Sequence, residues 1–316
     1  MNIKRILKPL REYAKKIIRP RGSLRFIALN SIETFYKNLS LPDRVTHTRL
    51  ITKKRLMDLY EHNVIYKQTA NLGCIFIDLE HNIQLLIPFE GFNEYIGLCW
   101  DVFVGGLDVE IRRSFVFCDI GANLFNASLL FAQNTLCKKV FSFEIIPDIY
   151  EMGSANLKLN PHLQGKIEAS AYGLYNESKE LEVTYYPLRS GASGISEKLL
   201  KEEWLVNTND SDFAGEKNKK VFRTKVVEAY AALSEIRRKF PEEGLVIKVD
   251  AENSEVEIVK NLLPMITEIH CFLIEFHSEE AARTLTHFLK GNGFRLERRA
   301  AINVFYNKRK GFKIGV

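Results

Sequence analysis

The sequence predicts an α/β protein built on a mostly parallel sheet with helices on both faces. Three observations carry this. Short apolar runs at 115–120, 140–143, 166–171, 245–249 and 271–276 have the length of strands and little or no polar face, as strands buried on both sides do. Segments with helical spacing and helix-boundary residues lie between them. Strands and helices alternate along the chain, the pattern of crossovers that keep neighbouring strands parallel.

Residues 1–72 read as a basic, largely helical extension, and residues 73–316 as the α/β domain, opened by a β-hairpin. Ile3, Ile6, Leu7, Leu10, Tyr13, Ala14, Ile17 and Ile18 recur at helical spacing with Lys and Arg opposite, and Pro9 kinks this helix or moves its start. Residues 73–88 form two strands around the turn Glu80-His81-Asn82. Residues 127–133 are helical. Pro147 suits a first helical turn, and that helix must stop before Asn160-Pro161. Ser254-Glu255-Val256-Glu257 has the form of a capping box, opening a helix that buries Val256, Val259, Leu262 and Leu263. Ser278 starts another helix, which ends at Gly291 or Gly293. Strands at 294–299 and 301–307 pair as a C-terminal antiparallel hairpin on the sheet edge. The polar, breaker-rich stretch 207–220 reads as a loop.

The chain has 316 residues, 46% hydrophobic and 27% charged, which excludes wholesale disorder, and no run of 18 apolar residues occurs. Residues 1–25 hold nine Lys and Arg against one acid, Glu12, so the rest of the chain carries a net −2 within a total of +6. A basic arm on a slightly acidic body argues against a nucleic-acid partner. The arm predicts contact with an anionic membrane surface, or else packs its apolar stripe on its own domain. Five scattered cysteines with no CxxC spacing predict free, buried thiols in a reducing compartment. With no signal-peptide pattern, the expected location is the cytoplasm, at the inner membrane face if the arm binds lipid.

Parallel sheets bind ligands at the carboxyl ends of their strands, so the residues there are the candidates. The first strand ends in Asp119-Ile120-Gly121-Ala122-Asn123, where a glycine lets backbone N–H groups approach a ligand. The second ends in Phe143-Glu144, where an acid accepts hydrogen bonds from ribose hydroxyls in nucleoside-binding folds. No GxGxxG or GxxxxGK[ST] occurs, which removes the main support for dinucleotide and triphosphate readings.

The segment 116–123 resembles motif I of class I S-adenosylmethionine-dependent methyltransferases, in the D-[IV]-G-A-N form of the FkbM family. The resemblance continues through Phe143-Glu144-x-x-Pro147, Asn156-Leu157-Lys158-Leu159-Asn160 and Ala169-Ser170-Ala171-Tyr172-Gly173. It resumes with Ile247-Lys248-Val249-Asp250-Ala251-Glu252 followed by Glu255, ends at Leu273-Ile274-Glu275-Phe276, and so covers about residues 85–300. It implies a Rossmann-like fold and S-adenosyl-L-methionine as cofactor. Asp119, Gly121 and Asn123 would hold the methionine portion, Glu144 the ribose, and Ala171 and Tyr172 would lie near the adenine. Two departures stand out: Phe125 and Asn253 occupy positions where the family has glycine.

Methylation of a hydroxyl requires a positioned acceptor and a group to take its proton. Lys248, Asp250 and Glu252 alternate on an extended segment, and Glu275 and His277 share a face at the end of the next strand. Asp250, Glu275 and His277 are the catalytic candidates. Asp250, Glu252 and His277 also have the chemistry to bind a cation. The N-P-P-[YF] segment of amino-methylating DNA enzymes is absent, which favours a hydroxyl acceptor, and the resemblance points to a saccharide, glycolipid or related metabolite. The small, polar segment 189–194 suits a hydrophilic acceptor. A non-catalytic binding or scaffolding protein on the same fold, its cofactor site impaired by Phe125, is the alternative; an RNA methyltransferase using the arm is a third.

Overall fold

The structure, a computed structural model, describes residues 46–68, 73–88, 92–104, 107, 109–187, 193–195, 219–298, 302–308 and 314–315. The basic arm, most of the stretch 207–220 and residues 189–192 lie outside these. In chain order the elements are α1 (Thr46–Glu61), β1 (Val64–Gln68), β2 (Gly73–Asp78), β3 (Ile83–Pro88), α2 (Phe92–Phe103), β4 (Glu110–Ile111), β5 (Phe115–Ile120), α3 (Asn126–Gln133), β6 (Cys137–Phe143) and α4 (Pro147–Leu159). There follow β7 (Ile167–Ser170), β8 (Gly173–Tyr175), β9 (Lys179–Tyr185), β10 (Lys220–Glu228), α5 (Ala229–Lys239), β11 (Gly244–Val249) and α6 (Glu255–Asn261). The chain closes with β12 (Ile269–Glu275), α7 (Glu279–Gly291), β13 (Phe294–Arg298), β14 (Ile302–Asn307) and β15 (Ile314–Gly315). Among the described residues no helix is long and apolar enough to cross a membrane.

Seven strands form the central sheet in the order β13-β14-β12-β11-β5-β6-β7. Strands β5, β6, β7, β11 and β12 are parallel, and β14 is antiparallel to both β12 and β13. The expected C-terminal hairpin is therefore present, with its second strand inserted next to β12. This is the Rossmann-like strand order of the class I methyltransferase fold. From β5 the chain moves outward to β6 and β7, then returns to the other side of β5 at β11. The crevice at the carboxyl ends of β5 and β11 is thus the switch point.

Every residue of β5 and β11 is buried, which is why both read as apolar runs broken only by Asp119 and Lys248. The pleat divides them between two cores. Phe115 and Phe117 face the side of α2 and α3, where Phe117 stacks on Phe131 at 3.9 Å. Val116, Cys118 and Ile120 face α5, α6 and α7. All five cysteines are free and buried. Helix α7 begins as expected: the Ser278 side chain accepts a hydrogen bond from the Ala281 N–H at 3.1 Å, with Glu279 and Glu280 in the first turn.

Several features depart from the sequence reading. Residues 64–68, expected within the largely helical stretch, are a strand that pairs with β2 in a sheet β1-β2-β3. A second small sheet, β8-β10-β9, was not expected; its strands are half polar and more than thirty residues separate β9 from β10. The capping box does not form. The Ser254 side chain caps nothing and its N–H donates to Ala251 C=O, so it is not free for Glu257; Glu255, between them, is fully buried. Leu263, expected in the core, is 49% exposed, because the helix ends at Asn261 and a short 3₁₀ turn at Leu263–Glu268 rotates the side chain outward.

Helix α4 is fastened by two asparagines one turn apart. Asn160 accepts from Gln84 N–H at 2.9 Å and donates to Gln84 C=O at 2.7 Å, and Asn156 makes the same pair of contacts with Leu86 at 2.6 and 3.4 Å. Side-chain amides thereby complete the free edge of β3, since the rise between helix positions i and i+4 (about 6 Å) nearly equals two strand residues (about 6.8 Å). Asn156 also donates to Leu124 C=O at 3.1 Å, tying the clamp to the loop after β5.

Candidate active site

The loop after β5 is shaped by left-handed backbone at Gly121 (φ 73°), Asn123 (φ 50°) and Phe125 (φ 64°). The glycine at 121 is required by the chain itself. A Cβ there would lie 1.8 Å from the carbonyl oxygen of Asp250, where the ends of β5 and β11 converge. The expectation that Gly121 frees N–H groups for a ligand needs correction at this point. The N–H groups of Gly121 and Ala122 donate to Phe143 C=O, and that of Asn123 donates to Glu144 Oε2 at 2.8 Å. Phe125 pays for its left-handed backbone with packing: its ring is fully buried, lies edge-on to Tyr150 at 5.9 Å, and would be 2.7 Å from a Cβ on Gly153. The ring belongs to the core beneath α4, and α4 carries a glycine where it passes.

Glu144, just past the end of β6, is 5% exposed and bridges two backbone groups, taking Ile146 N–H on Oε1 at 2.9 Å and Asn123 N–H on Oε2. Burial pushes its carboxyl up to about 7, against the pull of these hydrogen bonds. The Oδ1 of Asn123 is buried with no hydrogen-bond partner. Ala171 is exposed and Tyr172 half-buried just after β7, with the Tyr172 ring 5.7 Å from Phe143. Together these residues fit S-adenosylmethionine: an acid at the second strand end, an unused buried acceptor in the glycine loop, and a ring beside the third strand end.

Asp119 is placed differently from the sequence expectation of direct contact. It is 0% exposed, accepts from Ser128 Oγ at 2.6 Å, and lies 3.4 Å from Lys248 Nζ. Ser128 has one hydroxyl proton, which Asp119 receives, so Ser142 must donate to Ser128 across their 2.7 Å contact. Burial raises the Asp119 carboxyl, with Lys248 and Ser128 opposing. Lys248 is the hub that the sequence marked only by its alternation. Lys248 is 6% exposed, and its ammonium reaches Gly121 C=O at 3.1 Å and Asp250 Oδ2 at 3.0 Å besides Asp119. Burial works to lower its pKa, yet Asp250 and Asp119 hold it above the ordinary lysine value. A buried lysine thus locks the glycine loop to the end of β11.

Asp250, Glu252 and His277 come together as a cluster. His277 Nε2 is 3.3 Å from Glu252 Oε2 and 3.7 Å from Asp250 Oδ1, while Nδ1 is 2.8 Å from Glu255 Oε1. Glu252 (φ 43°) and then Asn253 (φ 69°), whose side chain tolerates it, take left-handed backbone just past the end of β11. Burial opposes a charged His277, but the Glu255 hydrogen bond and the Glu252 and Asp250 carboxylates push it up to about 10. Burial would also raise Asp250, but Lys248 and His277 hold it below the usual carboxylate range; Glu252 is raised well above it by burial. Held as an imidazolium, His277 pairs with carboxylates rather than receiving a proton. Glu275, the last residue of β12, is half-buried and contributes negative charge toward Lys248 and Glu252. Residues 193–195 lie over this cluster: Gly194 bridges to Thr184, and a Cβ on it would be 3.3 Å from Glu252 C=O. Sequence reasoning missed the role of Glu255, because it lies inside the Ser254-x-x-Glu257 pattern of a capping box and reads as a first-turn helix acid.

No protein-family model matches the chain. Residues of the chain are similar to the methyltransferase sdnD of Sordaria araneosa, with 30% identity over 155 residues, 46% of this chain and 59% of the relative. Among solved structures, it is similar to methyltransferase FkbM from Methylobacillus flagellatus KT, with 14% identity, a TM-score of 0.39, and coverage of 61% of this chain and 44% of that one. It is also similar to precorrin-6y C5,15-methyltransferase from Geobacter metallireducens GS-15, with 12% identity, a TM-score of 0.35, and coverage of 64% and 84%. At these scores the two structures add nothing to the strand order itself.

Proposed function

We propose that the chain is an S-adenosylmethionine-dependent O-methyltransferase of the FkbM type, acting on a hydroxyl of a saccharide, glycolipid or related metabolite. One observation carries the reading. Lys248 joins the Gly121 loop to Asp250 at the switch point, with Glu144 alongside, so a cofactor-type loop and an acid cluster share one crevice. The similarity to a methyltransferase over 155 residues supports it.

When bound, the cofactor supplies an activated methyl group and its own leaving group. The chain's residues do the rest. Glu144 receives the ribose hydroxyls, Asn123 Oδ1 offers a buried acceptor, and Tyr172 flanks the adenine. The carboxylates of Asp250, Glu252 and Glu275 lie where an acceptor hydroxyl loses its proton, and residues 193–195 limit water at Glu252. Calorimetry with S-adenosylmethionine and S-adenosylhomocysteine tests this directly: micromolar binding that weakens in Glu144→Ala is the expected result. No binding to the folded wild type would leave the non-catalytic reading.

The basic arm is proposed to attach the enzyme to the anionic inner face of a membrane, where a lipid-linked acceptor would be met. Each basic residue near such a surface contributes on the order of 1 kcal/mol. Full-length protein should float with anionic vesicles at low salt, and protein lacking residues 1–25 should not; failure of the full-length protein to float ends this proposal.

A further inference from the structure

The cluster at the ends of β11 and β12 has the shape of a cation site. One donor atom each from Asp250, Glu252 and His277 lies within 4.8 Å of the other two, with the histidine Nε2 at 3.3 and 3.7 Å from the carboxylates. Atoms bound to one small divalent ion at about 2.1 Å lie about 3.0 Å apart when adjacent in an octahedron and about 4.2 Å when opposite. Both histidine separations fall inside that range, and among the described residues Nε2 makes no hydrogen bond. The other ring nitrogen is taken by Glu255 Oε1, which makes Nδ1 a donor and aims Nε2 at the two carboxylates, so that a cation binding there replaces the Nε2 proton of the metal-free imidazolium. Glu255 is fully buried, its Oε1 also faces the N–H groups of Ala251 and Asn253, and its Oε2 has no hydrogen-bond partner. That is the support a metal-bound imidazole receives from a carboxylate behind it. Lys248 is engaged with Asp119 and Asp250, so Glu252 and Glu255 both turn to the one histidine.

We propose that Asp250, Glu252 and His277 are the protein ligands of a divalent cation of the Mn²⁺ or Mg²⁺ class, with Glu255 as the residue that positions His277. Two hard oxygen donors suit either ion, and the imidazole favours Mn²⁺. Three protein ligands leave up to three octahedral positions for water or for oxygens of the acceptor, so a pair of neighbouring hydroxyls can chelate the ion. Its charge lowers the pKa of a bound hydroxyl. With the ion bound, Asp250 and Glu252 hold the cation rather than take the proton; the hydroxyl proton leaves to water, the oxygen–methyl bond forms as the sulfur–methyl bond breaks, and no group is oxidised or reduced. This use of the ion rests on the methyl-transfer reading; the binding of the ion does not.

The test is Mn²⁺ titration of the full-length, cofactor-free protein followed by electron paramagnetic resonance, with pulsed measurements for nitrogen coupling. One ion per chain, a nitrogen coupling, competition by Mg²⁺, and an affinity at least tenfold weaker in Glu252→Gln and His277→Gln are expected, with the coupling gone in His277→Gln. Melting curves check that the variants fold. Should either variant fail to fold, the wild type still decides, because the nitrogen coupling identifies the histidine. Absence of binding at millimolar Mn²⁺, wild-type binding without nitrogen coupling, or unchanged affinity in both folded variants would overturn the site. Mn²⁺ binding with these properties in a protein that binds no S-adenosylmethionine would support the metal site and refute the methyl-transfer reading instead.

Discussion

Replacing Glu144 by glutamine separates the two tasks this carboxylate performs. Its oxygens hold the Asn123 and Ile146 N–H groups at 2.8 and 2.9 Å, and burial has pushed its carboxyl up to about 7. The proposed cofactor complex needs the ionised form, because ribose hydroxyls donate to it. Below about pH 7 the free protein must first lose a proton to bind. If the complex keeps Glu144 ionised throughout, the affinity at pH 8 exceeds that at pH 6 by about tenfold, or ~1.4 kcal/mol. Stability moves the other way. A carboxyl raised in the folded state favours folding at low pH, and this contribution is lost as pH rises from about 4.5 to about 7, a change on the order of 3 kcal/mol. In Glu144→Gln both pH dependences should flatten, and affinity at pH 8 should fall about tenfold or more, because the charged contact is gone and the amide NH₂ faces a backbone donor. Calorimetry from pH 6 to pH 8 and denaturant melts over the wider range measure the two slopes in both proteins. Equal slopes in wild type and variant would refute the assignment of Glu144 as the titrating ribose acceptor.

Three further outcomes follow from the packing. Asn156→Ala leaves Leu86 N–H, Leu86 C=O and Leu124 C=O without their side-chain partner; denaturant titration should show a loss of about 3 kcal/mol, and a loss below about 0.5 kcal/mol would mean that water replaces the clamp. Phe125→Gly relieves left-handed strain but empties the ring's site under α4, so stability should fall by about 2–4 kcal/mol while cofactor affinity in the folded protein stays within a few-fold. A gain in affinity would show that the ring obstructs the cleft. Gly121→Ala forces a methyl group against Asp250 C=O and should abolish cooperative melting or lower the melting temperature steeply; a near-native melt would contradict the close convergence of β5 and β11.

Local chemistry made much of this protein legible in one dimension. The runs that became β5, β6, β11 and β12 read as buried strands because most of their residues on both faces lie in a core, so no regular polar alternation appears in them. Pro147, Asn160, Ser278 and Gly291 mark helix limits through contacts within a single turn, and those limits match α4 and α7. The strand-end positions of Gly121, Glu144 and Asp250 follow from the same runs. Other features depend on partners far along the chain. Ser254 and Glu257 have a capping box's spacing, which masks Glu255 between them, the glutamate that His277, twenty-two residues away, engages. Asn156 and Asn160 look like ordinary helix-end polar residues until β3, with partners 70 and 76 residues earlier, presents its open edge. Lys248 sits in an apolar strand, and only the pairing of β11 with β5 supplies the Asp119 carboxylate and Gly121 carbonyl that let it stay buried. Periodicity and caps are set by neighbours in sequence, so the sequence by itself determined the elements and their limits. The destination of a buried charge depends on which strand ends meet, and that only the tertiary structure decided.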